Sequence, residues 1–117
     1  MIFERAQDLG RLVGQSNEYK ALQRARDRLG EEPELKTSLD RLRDLSETIE
    51  RMAAQGQEPS AEQVNEYDGL LSTIQASALY QGVVAAQSNF DKMMLGVNEQ
   101  ILDGMKKGSA SSIITLG

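Results

Sequence analysis

The sequence contains neither cysteine nor histidine. Without cysteine the chain has no disulfide, no thiol nucleophile and no thiolate metal site, which suits a reducing cytoplasm. Without histidine it lacks the commonest general base and the commonest transition-metal ligand. We therefore predict a protein that is not an enzyme and that takes no cofactor, no metal and no small-molecule substrate.

Long hydrophobic runs are also missing. No stretch approaches the roughly 20 apolar residues that cross a bilayer, and no apolar run follows the first charges as in a signal peptide. Aromatic residues make up 4% of the chain and there are two prolines, so aliphatic and Met side chains on helices must build the core. A net charge of −5 over 117 residues disfavours non-specific binding to nucleic acid or anionic lipid. These features predict a cytoplasmic helical protein with no membrane partner.

Apolar residues recur at helical spacing in five segments. The expected helices cover about residues 2–14, 17–30, 33–55, 61–74 and 78–105, with a tight joint at Gln75-Ala76-Ser77. Ser16 or Asn17 can cap the second helix, Ser60 begins a capping box for the fourth, and Ser77 can cap the fifth. Whether Gly14 breaks the chain, or the first two segments form one bent helix, is open at this point.

The clearest pattern is an apolar ladder near the C-terminus. Its members are Leu79, Val83, Ala86, Phe90, Met93, Val97 and Ile101. Steps of four and three place them on one stripe of a helix roughly 35 Å long, which needs an equally long partner. We expect the third helix to be that partner, with short connections making neighbouring helices antiparallel. The predicted fold is all-α, an elongated antiparallel helical bundle of about five helices with a long C-terminal helix.

Part of this ladder is wider than one neighbouring helix needs, because Met94 lies beside Met93. The width has two interpretations: a broad core face within one chain, or an interface with a second chain, where Met tolerates irregular fit. The second interpretation predicts a homodimer or higher homo-oligomer. Its candidate interface residues are Val83, Ala86, Phe90, Met93, Met94, Val97 and Ile101.

The region from Lys20 to Arg43 has a locally basic character, which makes a direct RNA- or DNA-binding protein the alternative function. Interleaved acidic residues dilute the charge, and neither an aromatic platform nor a glycine-rich phosphate loop accompanies it. We therefore expect a solvated, salt-bridged surface and no direct binding of nucleic acid. The acidic pair Glu62 and Glu66 is expected to face solvent, since a di-iron bundle also requires histidine.

The last residues differ in composition from the rest. The helical signal weakens after Met105, and Gly108 suits the end of a helix. We expect a helical bundle domain over residues 1–107 and a flexible C-terminal tail over residues 108–117. Its apolar run, Ile113 to Leu116, is either disordered or a short peptide that docks on a groove or a partner.

Several weak motifs, taken in order, resemble one family. They are Ala6-x-x-Leu9-Gly10, Ser16-Asn17-Glu18-Tyr19, the helix begun by Pro33, Gln55-Gly56-x-x-Pro59 and the final ladder with Val97-Asn98. Over about residues 1–105 the chain resembles the YlbF/YmcA family of small bacterial helical regulators.

The resemblance implies a cytoplasmic, all-helical, dimeric protein with no enzymatic activity of its own. Studied members act with partner proteins in competence, biofilm formation and sporulation, at least partly by modulating an endoribonuclease and mRNA processing. It thus predicts a non-catalytic regulatory adaptor that works through helix-mediated protein–protein contacts. Some relatives are associated with iron–sulfur clusters held by cysteines, a property that a chain without cysteine cannot share.

Overall fold

Five helices joined by short turns make up nearly all of the chain. The computed structural model describes the backbone of residues 1–116 and the side chains of residues 1–110. The helices are α1 (Ile2–Gly14), α2 (Asn17–Gly30), α3 (Pro33–Ala54), α4 (Ala61–Gln75) and α5 (Ala78–Leu116). Residues 1–116 contain no strand, so the prediction of an all-α fold with a long C-terminal helix is confirmed.

Serine side chains cap three of the helices. Ser16, Ser60 and Ser77 each accept a hydrogen bond from the backbone N–H three residues later, at 3.1, 3.1 and 3.3 Å. The Gln63 side chain completes the capping box by accepting the Ser60 N–H at 2.8 Å. The first two helices are separate, since α1 ends at Gly14 and α2 begins after its Ser16 cap.

Gly56 reverses the chain after α3. Its φ of +74° lies in the left-handed region that favours glycine. The Gln57 N–H donates to the Met52 carbonyl at 2.8 Å, which closes the last turn of the helix. As a result α4 returns along α3.

The helices pack as two antiparallel pairs. α3 packs against α4, and α2 packs against α5. In the second pair Tyr19 lies beside Phe90 and Arg26 bonds to Gln87, so residue numbers rise along α2 while they fall along α5. We name the pairs the α3–α4 arm and the α2–α5 arm.

The expected pairing of the third and fifth helices is wrong. Within the described residues no Cα atom of α3 lies within 8 Å of a Cα atom of α5. Only two residues, Glu31 and Glu32, join α2 to α3, and only Ala76 and Ser77 join α4 to α5. The turn at Gly56 sends α4 back along α3, so that α4 and not α5 packs on α3, and α5 packs along α2.

The helix α5 also continues past Gly108, where the composition indicated its end. A helical glycine costs about 1 kcal/mol relative to alanine, and no proline follows to stop the helix. The side chains of residues 111–117 lie outside the described residues. The predicted boundary at residue 107 and the flexible tail therefore stay predictions.

The two arms give a thin, elongated molecule. Its principal extents are 69 × 37 × 20 Å, and the shortest is about two helix diameters. The radius of gyration is 21.4 Å, against about 13 Å for a compact domain of this length. Among residues 1–110, only Leu22, Leu45 and Ile74 are buried hydrophobic side chains, one each in α2, α3 and α4.

Ile74, in the last turn of α4, is the most deeply buried of the three, with 1% of its surface exposed. We expect Ile74→Ala to lower the free energy of unfolding by about 2–4 kcal/mol. The shorter side chain leaves a cavity at the joint between the arms, and the small core has few other side chains to compensate. Urea denaturation followed by circular dichroism measures this loss. Val64→Ala, at an exposed position of α4, is the control and should cost less than about 1 kcal/mol. Equal losses in the two variants would contradict the assigned role of Ile74.

Candidate interaction surface

The predicted ladder forms the face of α5 that lies along α2. The rings of Tyr19 and Phe90 have centroids 5.9 Å apart and are tilted by 56°. Arg26 Nη2 donates to Gln87 Oε1 at 2.8 Å on the same side. Farther along, Leu9 of α1 shares a groove with Val97 and Ile101. The structure thus uses the ladder first as a contact surface within the chain.

The seven candidate interface residues differ in their exposure. Val83, Ala86, Phe90, Met93, Met94 and Val97 are half-buried, and Ile101 is exposed. Half-burial means that α2 does not cover this face completely. The contribution of these residues to an interface with another chain stays a prediction.

A second apolar stripe on α5 was missed in the sequence. Val84, Leu95, Leu102 and Met105 are 50%, 61%, 57% and 64% exposed. The steps from Val84 to Leu95 and from Leu95 to Leu102, 11 and 7 residues, are close to three and two helical turns, so these three lie on one face. The signal was present, but among these residues only Leu102 and Met105 are three or four positions apart. We name Val84, Leu95, Leu102 and Met105 the outer face of α5.

A shallow groove runs along the first half of this outer face. It has a volume of about 600 Å³ and extends from Tyr80 past Val84 to Leu95, with Asp91 and Lys92 beside it. Residues 80–95 span roughly 22 Å of helix. Apolar groups spaced along such a length, with charges beside them, match the way an amphipathic helix docks in a groove.

The basic region of α2 and α3 is partly paired with acidic groups. Arg41 Nε bonds to Glu66 Oε1, and Arg41 Nη2 donates to Glu66 Oε2 at 2.9 Å. Arg43 bonds to Asp40 at 3.3 Å. These contacts agree with the expected salt-bridged surface. Glu66 is exposed to solvent as expected, and its carboxylate also connects α4 to α3.

Each partner shifts the pKa of the other. The hydrogen bonds from Arg41 lower the pKa of the Glu66 carboxyl, and the hydrogen bonds to Glu66 raise the pKa of the Arg41 guanidinium. Both side chains remain substantially exposed to solvent. The shifts arise from a surface ion pair between two helices.

Comparison with known proteins gives the family. The model of the family described as control of competence regulator ComK, YlbF/YmcA, matches residues 2–106. The chain belongs to the YlbF/YmcA family. A UPF0342 protein of Leuconostoc citreum (strain KM20) is similar to it, with 19% identity over 98 residues that cover 84% of this chain and 83% of that protein. The expected resemblance is therefore confirmed, and the family's description concerns regulation.

Two kinds of feature are absent from the part of this YlbF/YmcA member that the structure describes. Within the described residues, no group of three or more Asp and Glu side chains converges to hold a metal ion. In that same part of the chain, no helix combines the length and the apolar character needed to span a bilayer.

The ion pair predicts a pH dependence of stability in this YlbF/YmcA member. Because the pKa of Glu66 is lower in the folded chain, its pairing stabilises the fold above the usual carboxyl value near 4.5. This contribution is lost as the pH falls through the lowered pKa. We expect Glu66→Gln to be less stable than wild type at pH 7, with the difference shrinking towards pH 3.

Thermal unfolding at a series of pH values between 3 and 7 measures this difference. Glu62→Gln, one turn earlier on α4, is the matched control and should follow the wild-type profile. A constant difference between Glu66→Gln and wild type over the whole pH range would show that the ion pair does not couple to folding.

Proposed function

We propose that this chain is a regulatory adaptor with no catalytic activity of its own. It binds a partner protein through α5 and so modulates an mRNA-processing ribonuclease complex. The observation that carries the proposal is that α5 has apolar side chains on two faces while α2 covers only one of them. Membership of a family described by control of a competence regulator supports a regulatory role. This role implies a cytoplasmic location.

The partner in this proposal presents an amphipathic helix to the groove between Tyr80 and Leu95. Val84, half exposed at the centre of that groove, supplies the apolar contact. Asp91 and Lys92 have opposite charges and restrict which helices fit, since a like charge opposite either one is unfavourable. Specific recognition thus comes from packing and from two charges.

The absence of catalysis in the proposal rests on the side chains present. The chain has no histidine and no cysteine, so acid–base and thiol chemistry would fall to carboxylates, lysines or tyrosines. Arg41 and Glu66, whose pKa values are shifted, are bonded to each other on an open surface. Their shifts support a structural ion pair and not a reactive group.

A test uses one substitution in the groove. In a strain that lacks the gene, Val84→Glu is expected to fail to restore transcript processing, because an unpaired carboxylate in an apolar contact weakens binding by at least about tenfold. Mapping of transcript 5′ ends measures the processing. Val64→Glu, at an exposed apolar position of α4, is the control and should restore it at equal protein level and equal helicity.

The same proteins can be assayed with RNA alone. We expect the purified wild-type chain neither to cleave labelled RNA nor to bind it at about 50 mM salt, where phosphate contacts are strong. Cleavage would overturn the proposed lack of catalysis. Salt-sensitive binding that is lost on substitution of Arg24 or Arg28 would favour the direct nucleic-acid-binding alternative.

A further inference from the structure

We propose that the α3–α4 arm binds a basic segment of a second partner protein in an apolar groove on one of its flanks. The segment has one large apolar side chain with Lys or Arg residues on either side of it. This binding goes beyond the regulatory contact proposed for α5, and transcript processing does not depend on it. It is supported by the groove, by the carboxylates at its border and by the distribution of charge along the chain.

The groove lies between α3 and α4, on the side of the turn that contains Pro59. It has a volume of about 320 Å³ and is lined by Ser46, Ile49, Glu50, Pro59, Val64 and Tyr67. A cavity of roughly 150 Å³ holds a benzene ring, so this space accepts one large side chain and part of its neighbour. We name it the arm groove.

The walls of the arm groove are mostly apolar and are not covered by the chain itself. Ile49, Pro59 and Tyr67 are half-buried, and Val64 is exposed. Apolar side chains that line a concave space and remain open to solvent are typical of a binding pocket. The ring of Tyr67 also suits a cation, because an ammonium or guanidinium group is attracted to the face of an aromatic ring.

Three carboxylates border the arm groove. Glu50 lines it, Glu58 precedes Pro59, and Asp68 follows Val64 by four residues, which places it on the same flank of α4. All three are exposed, and within the described residues none of them is in an ion pair. Roughly 10 Å of helix separate the start of α4 from Asp68. A ligand that meets all three carboxylates therefore carries several positive charges over that length, as a basic peptide segment does.

The negative charge of the chain is concentrated around this groove. Residues 44–68 contain seven acidic side chains and one basic side chain, so their net charge is −6. The whole chain carries −5, so the remaining 92 residues have a net charge of +1. The bond from Arg41 neutralises Glu66, and Arg43, just before this stretch, is bonded to Asp40 at 3.3 Å. Six carboxylates and one guanidinium remain.

This charge favours a basic protein segment over the other surfaces that the arm groove could meet. Nucleic acid and anionic lipid are repelled by it. The same arm of a second copy carries the same charge and is repelled as well. A segment with Lys or Arg beside an apolar side chain instead satisfies both the carboxylates and the apolar walls, and its positive charge speeds association.

A peptide that contains tryptophan is a direct probe of the arm groove, because the chain has no tryptophan of its own. The probe is a short synthetic peptide of Lys and Ala with one central Trp. We expect saturable binding and a blue shift of the Trp emission, since the indole ring leaves water. A matched peptide with Glu in place of every Lys should not bind. Added salt should weaken the binding, because it screens charges on an exposed surface.

Substitutions on the two flanks of the arm separate the groove from the general attraction of an acidic protein. We expect Glu50→Lys to weaken binding of the basic peptide at least about tenfold, because a repulsion replaces an attraction at the groove. Glu62→Lys is the matched control, since it changes the net charge equally but lies two residues before Val64, on the opposite side of α4. It should weaken binding less than about threefold, because solvent and salt screen the distant charge.

The apolar contact is tested at constant charge. Val64→Ser should weaken binding at least about fivefold and reduce the blue shift, because the peptide loses an apolar contact. Val84→Ser, in the groove on α5, is the control and should leave both unchanged. All four substituted positions are exposed in the single chain, so circular dichroism should show the helicity of the wild type in every variant.

Five results would overturn the proposal. The first is no saturable binding of the basic peptide up to about 1 mM. Equal weakening by Glu50→Lys and Glu62→Lys would show that only the general charge attracts the peptide. Equal binding of the acidic peptide would show that the groove does not select charge.

The other two results assign the binding elsewhere. Loss of binding in Val84→Ser but not in Val64→Ser would place the peptide in the groove on α5. Displacement of the peptide by an equal concentration of phenylethylamine would assign the arm groove to a small organic cation. The transcript-processing test of Val84→Glu does not involve this peptide, so each proposal can fail without the other.

Discussion

The contact between α2 and α5 is the interaction on which the rest of the architecture depends. It joins the N-terminal part of the chain to its longest helix through Tyr19, Leu22 and Phe90. α3 and α4 pack on each other between two short joints, and neither of them lies along α5. Without the α2–α5 contact the long helix would have almost no tertiary support. The elongated shape follows from the two separate helix pairs, which meet at these joints.

In such a thin molecule few side chains lie far enough from solvent to be buried. In the described part of the chain three hydrophobic side chains form the core, while α5 and α1 keep apolar residues in contact with solvent. A thin protein of this kind has more surface than its own fold can cover, and that surplus is available for association with other chains. The thin shape that leaves a small core therefore also leaves apolar side chains of α1 and α5 exposed.

The exposed apolar surface of α5 has two parts. The groove from Tyr80 to Leu95 lies beside Asp91 and Lys92. The other part is formed by Ile101, Leu102 and Met105, farther along the same helix. Both parts are open to solvent in the single chain.

Local patterns in the sequence determined the helices, their serine caps and the turn at Gly56, because these depend on interactions within a few residues. They also indicated the family and the Leu79–Ile101 ladder. Only the tertiary structure decided which helices pair, since the α3 stripe and the α2 stripe are both apolar and both offered a partner for α5. It also revealed the outer face at Val84, Leu95 and Leu102. Exposure depends on which neighbour covers a stripe, and local spacing does not contain that information.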